Sequence, residues 1–163
     1  MAAPPPPRKI GPLTEEEIRL FLAHPWVARL ATVTPEGTPY VVPVWYQYDP
    51  QERVIYIVGR ERSSYVAHIR ATPAVAFHVA DDVHREHTRV LVEGSAHIVE
   101  GPVAPKDSPR LGALVVEMSR RYLGAEGDRY ARETLERPRY LIRITPRRWH
   151  TWTGAAWARR YWA

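Results

Sequence analysis

The sequence predicts a mainly β fold, a small antiparallel β-barrel with a few peripheral helices. Two observations carry that prediction. Short runs rich in β-branched and aromatic residues recur along the chain between turns containing Gly, Pro and Asp. Helical periodicity is confined to a few brief stretches between them. Closing a sheet of such strands removes its unpaired edges, although a two-sheet sandwich satisfies the same alternation.

Residues 1–12 hold Pro4, Pro5, Pro6 and Pro7 and no periodicity, which predicts a disordered or extended Pro-rich arm ahead of a single domain over 13–163. Thr14 and Glu17 have the spacing of a capping box, and Ile18, Phe21 and Leu22 then share one helical face before Pro25. Residues 27–34 and 40–48 read as strands flanking a hairpin turn at Pro35, Glu36, Gly37 and Thr38. Asp49, Pro50, Gln51 and Glu52 turn the chain again into a strand at 54–58. A helix over 63–70 follows, then strands at 74–80 and 88–99, with Gly94 marking a bulge in the longer one. Leu111, Leu114, Val115, Met118 and Tyr122 form a buried stripe on a helix over 109–123, and a shorter helix covers 128–136. Strands at 140–145 and 149–153, parted by Pro146, bring the count to six or seven.

Composition excludes several functions. At 163 residues with 45% hydrophobic side chains the chain sustains one core. With no cysteine it has no disulfide, thiol nucleophile or zinc ribbon. It shows no long apolar run and no secretory leader, so the expectation is a soluble, cytoplasmic protein without a membrane partner. A net charge of +5 admits an anionic partner without naming it. Beyond Glu136 the chain carries Arg137, Arg139, Arg143, Arg147, Arg148, Arg159 and Arg160 with no acidic residue, interleaved with Trp149, Trp152, Trp157 and Trp162. Arginine with aromatics stacks on single-stranded nucleic acid, but the same composition seals a core or a subunit interface. The strand pattern favours the interface, so nucleic acid is disfavoured.

The most informative stretch is 59–79. It ends a strand, turns through Arg60, Arg62, Ser63 and Ser64, and starts a helix. Guanidinium and hydroxyl donors at a helix N-terminus, where free N–H groups and the helix dipole add to their charge, make an anion site suited to phosphate. The same serines can simply cap the helix.

Taken together, the segments 28–33 (ARLATV), 37–46 (GTPYVVPVWY), 54–57 (VIYI), 63–79, 92–96 (VEGSA) and 142–146 (IRITP), with Trp152, resemble the pyridoxamine 5'-phosphate oxidase-like, FMN-binding split-barrel superfamily, including its deazaflavin-dependent oxidoreductases. The likeness runs from about residue 14 to residue 153, and its specificity lies in the order and spacing of the pieces. It implies a six-stranded antiparallel split β-barrel that forms a homodimer, with two cofactor sites in grooves between protomers. It further implies that Val42, Pro43, Val44 and Trp45 line the isoalloxazine ring and that Arg60, Arg62, Ser63, Ser64 and Tyr65 bind the cofactor phosphate. Arg29, at the start of the first strand, is expected to face the same groove, and Trp152 is counted with the cofactor residues.

The chain departs from that pattern in two charged positions. Many cofactor-binding relatives carry Ser-Arg-Lys in the turn, and counting back from Pro73 puts Tyr65 where the lysine stands and Ser64 where the arginine stands. Arg62 is the expected replacement for the lost charge, since guanidinium binds phosphate in bidentate fashion. The Arg-x-His substrate signature of true pyridoxamine phosphate oxidases has no match, so vitamin B6 synthesis is not expected. The resulting expectation is a flavin-dependent oxidoreductase using FMN on a small-molecule substrate. A deazaflavin coenzyme is the first alternative, and a redox-inactive binding module of the same fold the second. Hydride chemistry belongs largely to the cofactor, and no catalytic residue is assigned. His84 and His87 lack a third ligand, so no metal site is expected. Haem ligation by His68, His78, His97 or His150 is disfavoured, because a lone strand histidine is usually packed or hydrogen-bonded.

Overall fold

The capping box closes as its spacing demands at the start of helix α1 (Glu15–Ala23). Thr14 Oγ1 accepts from the Glu17 N–H at 3.2 Å, and the Glu17 carboxylate accepts from the Thr14 N–H at 2.7 Å. This is a computed structural model, and it describes residues 9–84 and 86–154. Pro4 to Pro7, Trp157, Arg159, Arg160 and Trp162 lie outside the described residues. Within the described part of the expected arm, Gly11 and Thr153 exchange backbone hydrogen bonds of 2.9 Å each.

Strands β1 (Ala28–Val33) and β2 (Pro39–Val44) form the expected hairpin, with Gly37 donating to the Thr34 carbonyl at 2.9 Å. Strands β3 (Tyr46–Asp49) and β4 (Val54–Arg60) form another, in which Asp49 Oδ1 accepts from the Gln51 and Glu52 N–H groups. Helix α2 (Ser64–Ala71) leads to β5 (Ala74–Ala80) and the long β6 (Arg89–Val103). Helices α3 (Pro109–Leu123) and α4 (Gly127–Thr134) intervene before β7 (Arg139–Trp152). All pairings are antiparallel, in the order β2-β1-β5-β6-β7-β4-β3.

The two ends of this sheet are consecutive in the chain. β2 and β3 are joined by Trp45 alone yet do not pair, so the sheet curls round to that residue without closing. The result is an open, split barrel with peripheral helices. It has seven strands where the resemblance implies six, because the strand expected over 40–48 is broken at Trp45, whose ring leaves the ladder to stack on Tyr122 of α3.

Pro146 does not end a strand, as expected, but lies inside β7. Its lack of an N–H is tolerated because the β6–β7 register slips there: Glu93 faces Arg148 and Gly94 faces Pro146, leaving Arg147 as the extra residue of a bulge. Gly94 is required by close approach, since a Cβ on it would lie 2.4 Å from the Thr145 carbonyl oxygen.

The alternation inside the barrel gives one core, with Leu30, Tyr46, Ile55, Ile57, Phe77, Ile142 and Ile144 fully buried around it. Leu22 of α1 closes one end of that core. Arg121 of α3 locks this end, donating to the Leu22 and His24 carbonyls at 2.6 Å each. A cation thus meets the negative end of a helix that has no basic residue in its own last turn. On the other side of the sheet Leu111 and Val115 of α3 pack on Leu141, which fixes α3 against β7 and brings its stripe beside the split.

Candidate functional site

A cavity of about 370 Å³ opens beside the split, in the size range of small-molecule sites. One wall is the end of β2 and its junction, Val42, Pro43, Val44 and Trp45. The second is Val58 and Arg60 of β4 with Ser63 and Tyr65 from the turn and α2. Val115, Met118 and Ser119 of α3, Tyr130 of α4 and Arg139 of β7 complete it.

Local structure explains each position. The turn after β4 is held by the Ser63 N–H donating to the Arg60 carbonyl at 3.0 Å. Ser63 is the N-cap of α2, but its hydroxyl makes no capping hydrogen bond, which leaves that group for the cavity. Trp45 lies parallel to Tyr122, with centroids 5.1 Å apart, and meets Tyr130 edge-on at 5.8 Å. Helix α4 approaches α3 so closely that a Cβ on Gly127 would sit 2.6 Å from the Arg120 backbone, and this approach presents Tyr130 to the cavity.

The electrostatics are one-sided. Arg60 and Arg139 face each other directly across the β4–β7 ladder, where like charges repel. Arg139 is only 6% exposed, and its Nε has no hydrogen-bond partner. Among the described residues no carboxylate pairs with either guanidinium. Both guanidiniums act on the Tyr130 hydroxyl. Burial pushes its pKa up, but these two guanidiniums outweigh burial and hold it below the ordinary phenol value. Tyr65 is moved the other way: burial raises its pKa against the opposing pull of the Ser63 hydroxyl, Arg60 and Arg139, so it stays a neutral hydroxyl.

Of the residues singled out in the sequence, Val42, Pro43, Val44, Trp45, Arg60, Ser63 and Tyr65 are brought together here. Arg62 in the turn and Ser64 at the start of α2 are exposed and do not line the cavity. Arg29 forms an ion pair with Asp82. Trp152 lines a separate surface depression with His78, Arg89 and His150. Sequence reasoning passed over Tyr130 and named Arg139 only as one of the arginines beyond Glu136. The α3 stripe was legible as buried, but only the strand register reveals that Arg139 stands opposite Arg60.

Three of the histidines, His68, His84 and His150, have local polar partners. His68 Nδ1 lies 3.0 Å from Thr32 Oγ1 and its ring meets Tyr40 edge-on at 5.0 Å. His84 Nδ1 is 2.7 Å from Asp81, and His150 Nε2 is 3.0 Å from Glu93. Among the described residues no three His, Cys, Asp or Glu side chains gather as a metal centre requires.

An antiparallel barrel split at a single residue, with peripheral helices, defines the class of split-barrel proteins. Within that class the chain belongs to the pyridoxamine 5'-phosphate oxidase family, whose sequence profile matches residues 14–153. No curated protein matches the chain. Among solved structures, a conserved hypothetical protein from Mycobacterium tuberculosis is 29% identical, with 90% of this chain and 88% of that one covered and a TM-score of 0.69. An F420 reductase is 26% identical over 81% of this chain and 94% of its own, with a TM-score of 0.60. A FAD-binding protein from Mesorhizobium loti shares the fold at 21% identity, covering 89% and 96% of the two chains with a TM-score of 0.62. Among the described residues no helix is long and apolar enough to cross a membrane.

Proposed function

We propose that the protein is an oxidoreductase that holds a flavin-type cofactor, FMN, in the cavity beside the split and acts on a small molecule. The observation that carries this reading is the convergence of an apolar wall, Val42 to Trp45, with the donors Arg60, Ser63 and Tyr65 in one cavity. Such a site fits a ligand that is flat and apolar at one end and anionic at the other. The orphaned, buried Arg139 Nε gives independent support, because a buried cation with an unused donor calls for an anion.

When bound, the cofactor supplies the hydride chemistry. The side chains contribute binding, orientation and exclusion of water: the β2 wall holds the ring, the guanidiniums hold the charged end, and α3 with α4 covers both.

A deazaflavin coenzyme is the second reading, supported by the likeness to an F420 reductase. The protein acts as a homodimer, and the supporting surface is the outward face of β1, β2 and β5. There Val41, 61% exposed, pairs with Ala31, and Ala31 pairs with Ala76, in one row of small apolar groups. An absorbance spectrum of the protein as purified, with light scattering for its mass, tests both statements. Flavin or deazaflavin bands on a dimer are expected. An apoprotein that no flavin-type cofactor reconstitutes overturns the oxidoreductase reading, and a monomer overturns the dimer.

A further inference from the structure

We propose that Arg121 is a positioning residue for the apolar wall of the cavity: acting through Tyr122 and the Tyr46 backbone, it fixes the Trp45 ring in the plane against which a flat ligand rests. That this ligand is a flavin-type ring rests on the cofactor reading. The clamp stands on its own side chains, with or without such a ring in place.

β3 is an edge of the sheet, so Tyr46, the residue after Trp45, has Ile57 on one side and no strand on the other. Backbone groups at such an edge need other partners. Two successive side chains of α3 supply them. The Tyr46 N–H donates to the Tyr122 hydroxyl at 3.3 Å, and the Tyr46 carbonyl accepts from Arg121 Nη1 at 3.2 Å. At the split, α3 thus takes the place of a neighbouring strand.

The same guanidinium reaches further. Its Nη2 donates to the Leu22 and His24 carbonyls at the end of α1, and its central carbon lies 4.9 Å from the Tyr46 ring centroid and 5.3 Å from that of Tyr122. Arg121 therefore joins the end of α1, the start of β3 and the ring on which Trp45 lies. Among the described residues its partners are these carbonyls and ring faces, and its Nε is buried without one. An apolar side chain would fill the space between α1 and α3 without burying a charge and an unused donor. What the arginine adds is direction, because a rigid planar fork holds its acceptors at defined angles. Without the fork the Trp45 wall loses its fixed plane, while Arg60, Ser63 and Arg139 on the other side of the cavity keep their places. The ring end and the anionic end should then respond separately.

The test compares the full chain with Arg121→Met, Arg121→Lys and Ile18→Ala. The last removes buried packing from α1 but none of the carbonyls that Arg121 holds. Near-ultraviolet dichroism of the apoprotein reads the Trp45–Tyr122 stack, and calorimetric titration with riboflavin and with sulfate reads the two ends of the cavity. Arg121→Met should lose the aromatic dichroism and bind riboflavin about tenfold or more weakly, with sulfate affinity unchanged. Arg121→Lys, which keeps the charge without the fork, should lose most of both signals. Ile18→Ala should melt earlier yet keep the dichroism and the riboflavin affinity. Far-ultraviolet dichroism confirms the fold of each variant; where Arg121→Met does not fold, Arg121→Lys decides.

Aromatic dichroism that persists in folded Arg121→Met and Arg121→Lys overturns the clamp. So does equal weakening of riboflavin in Ile18→Ala, which would make the effect one of general loosening. Riboflavin that binds folded Arg121→Met as tightly as the wild type leaves the cofactor reading standing and removes the positioning role. A wild type that binds no flavin-type ring, with a stack that still depends on Arg121, removes the cofactor reading and leaves the clamp on the cavity wall.

Discussion

Trp45 lies flat on Tyr122, their planes 3° apart and their centroids separated by 5.1 Å. This contact ties the split of the barrel to α3. It explains why the chain leaves the ladder between β2 and β3, and it makes the cavity wall rigid at the point where a ring system would rest. The Tyr122 hydroxyl also serves the backbone, accepting from the Tyr46 N–H at 3.3 Å and donating toward the Trp26 carbonyl at 3.2 Å.

Tyr122→Phe therefore keeps the stack and removes only those hydrogen bonds. The expected loss is about 1–2 kcal/mol, seen as a fall in Tm of about 2–8 °C. Near-ultraviolet dichroism from the aromatic pair should persist. A Tm equal to that of the wild type contradicts a structural role for the hydroxyl.

Gly94→Ala tests the bulge. The added methyl group meets the Thr145 carbonyl oxygen, part of the backbone, so relief requires the two longest strands to shift. A destabilisation of about 3 kcal/mol is expected, and thermal unfolding measures it directly. An unperturbed Tm would mean that β6 and β7 separate there without cost.

Anion binding should depend on pH through Tyr130. Burial opposes its ionisation, but Arg139 and Arg60 outweigh burial, so its folded pKa lies below the ordinary phenol value. The groups facing it are the guanidiniums of β4 and β7 and, beside them, the Tyr65 hydroxyl, whose pKa burial raises. Below its folded pKa Tyr130 is a neutral hydroxyl. Above it the phenolate is an internal anion that competes for the same cations, so ligand binding takes up a proton. Sulfate, whose charge is constant over this range, should bind less tightly as pH rises toward 10 in the wild type. Tyr130→Phe should show a flatter profile, and identical profiles would rule out the competition.

The sequence made much of this fold legible where local chemistry decides. The Thr14–Glu17 box, the turn at Gly37 and the α3 stripe each follow from residues a few positions apart. It misled where a distant contact overrules a local preference. Trp45 reads as one more strand residue until Tyr122 takes its ring, and Pro146 reads as a terminator until the register slip beside Gly94 accommodates it. The cavity divides in the same way. The β2 wall and the turn were legible as contiguous motifs, whereas Arg139 was one arginine among many until the β4–β7 register set it against Arg60. The charge missing at Tyr65 was expected from Arg62, the neighbour in sequence, but the cations that line the cavity are Arg60 of β4 and Arg139 of the last strand.

The most direct measurement of the central claim is a titration of the apoprotein with FMN and, separately, with the deazaflavin coenzyme, followed by intrinsic tryptophan fluorescence, which Trp45 at the cavity wall places within reach of a bound ring. Saturable quenching by one of the two, lost in Trp45→Phe and weakened in Arg60→Gln, is the predicted result. Absence of saturable quenching by either cofactor, in a folded protein, would contradict the account and leave the cavity as the anion-binding site of a redox-inactive split barrel.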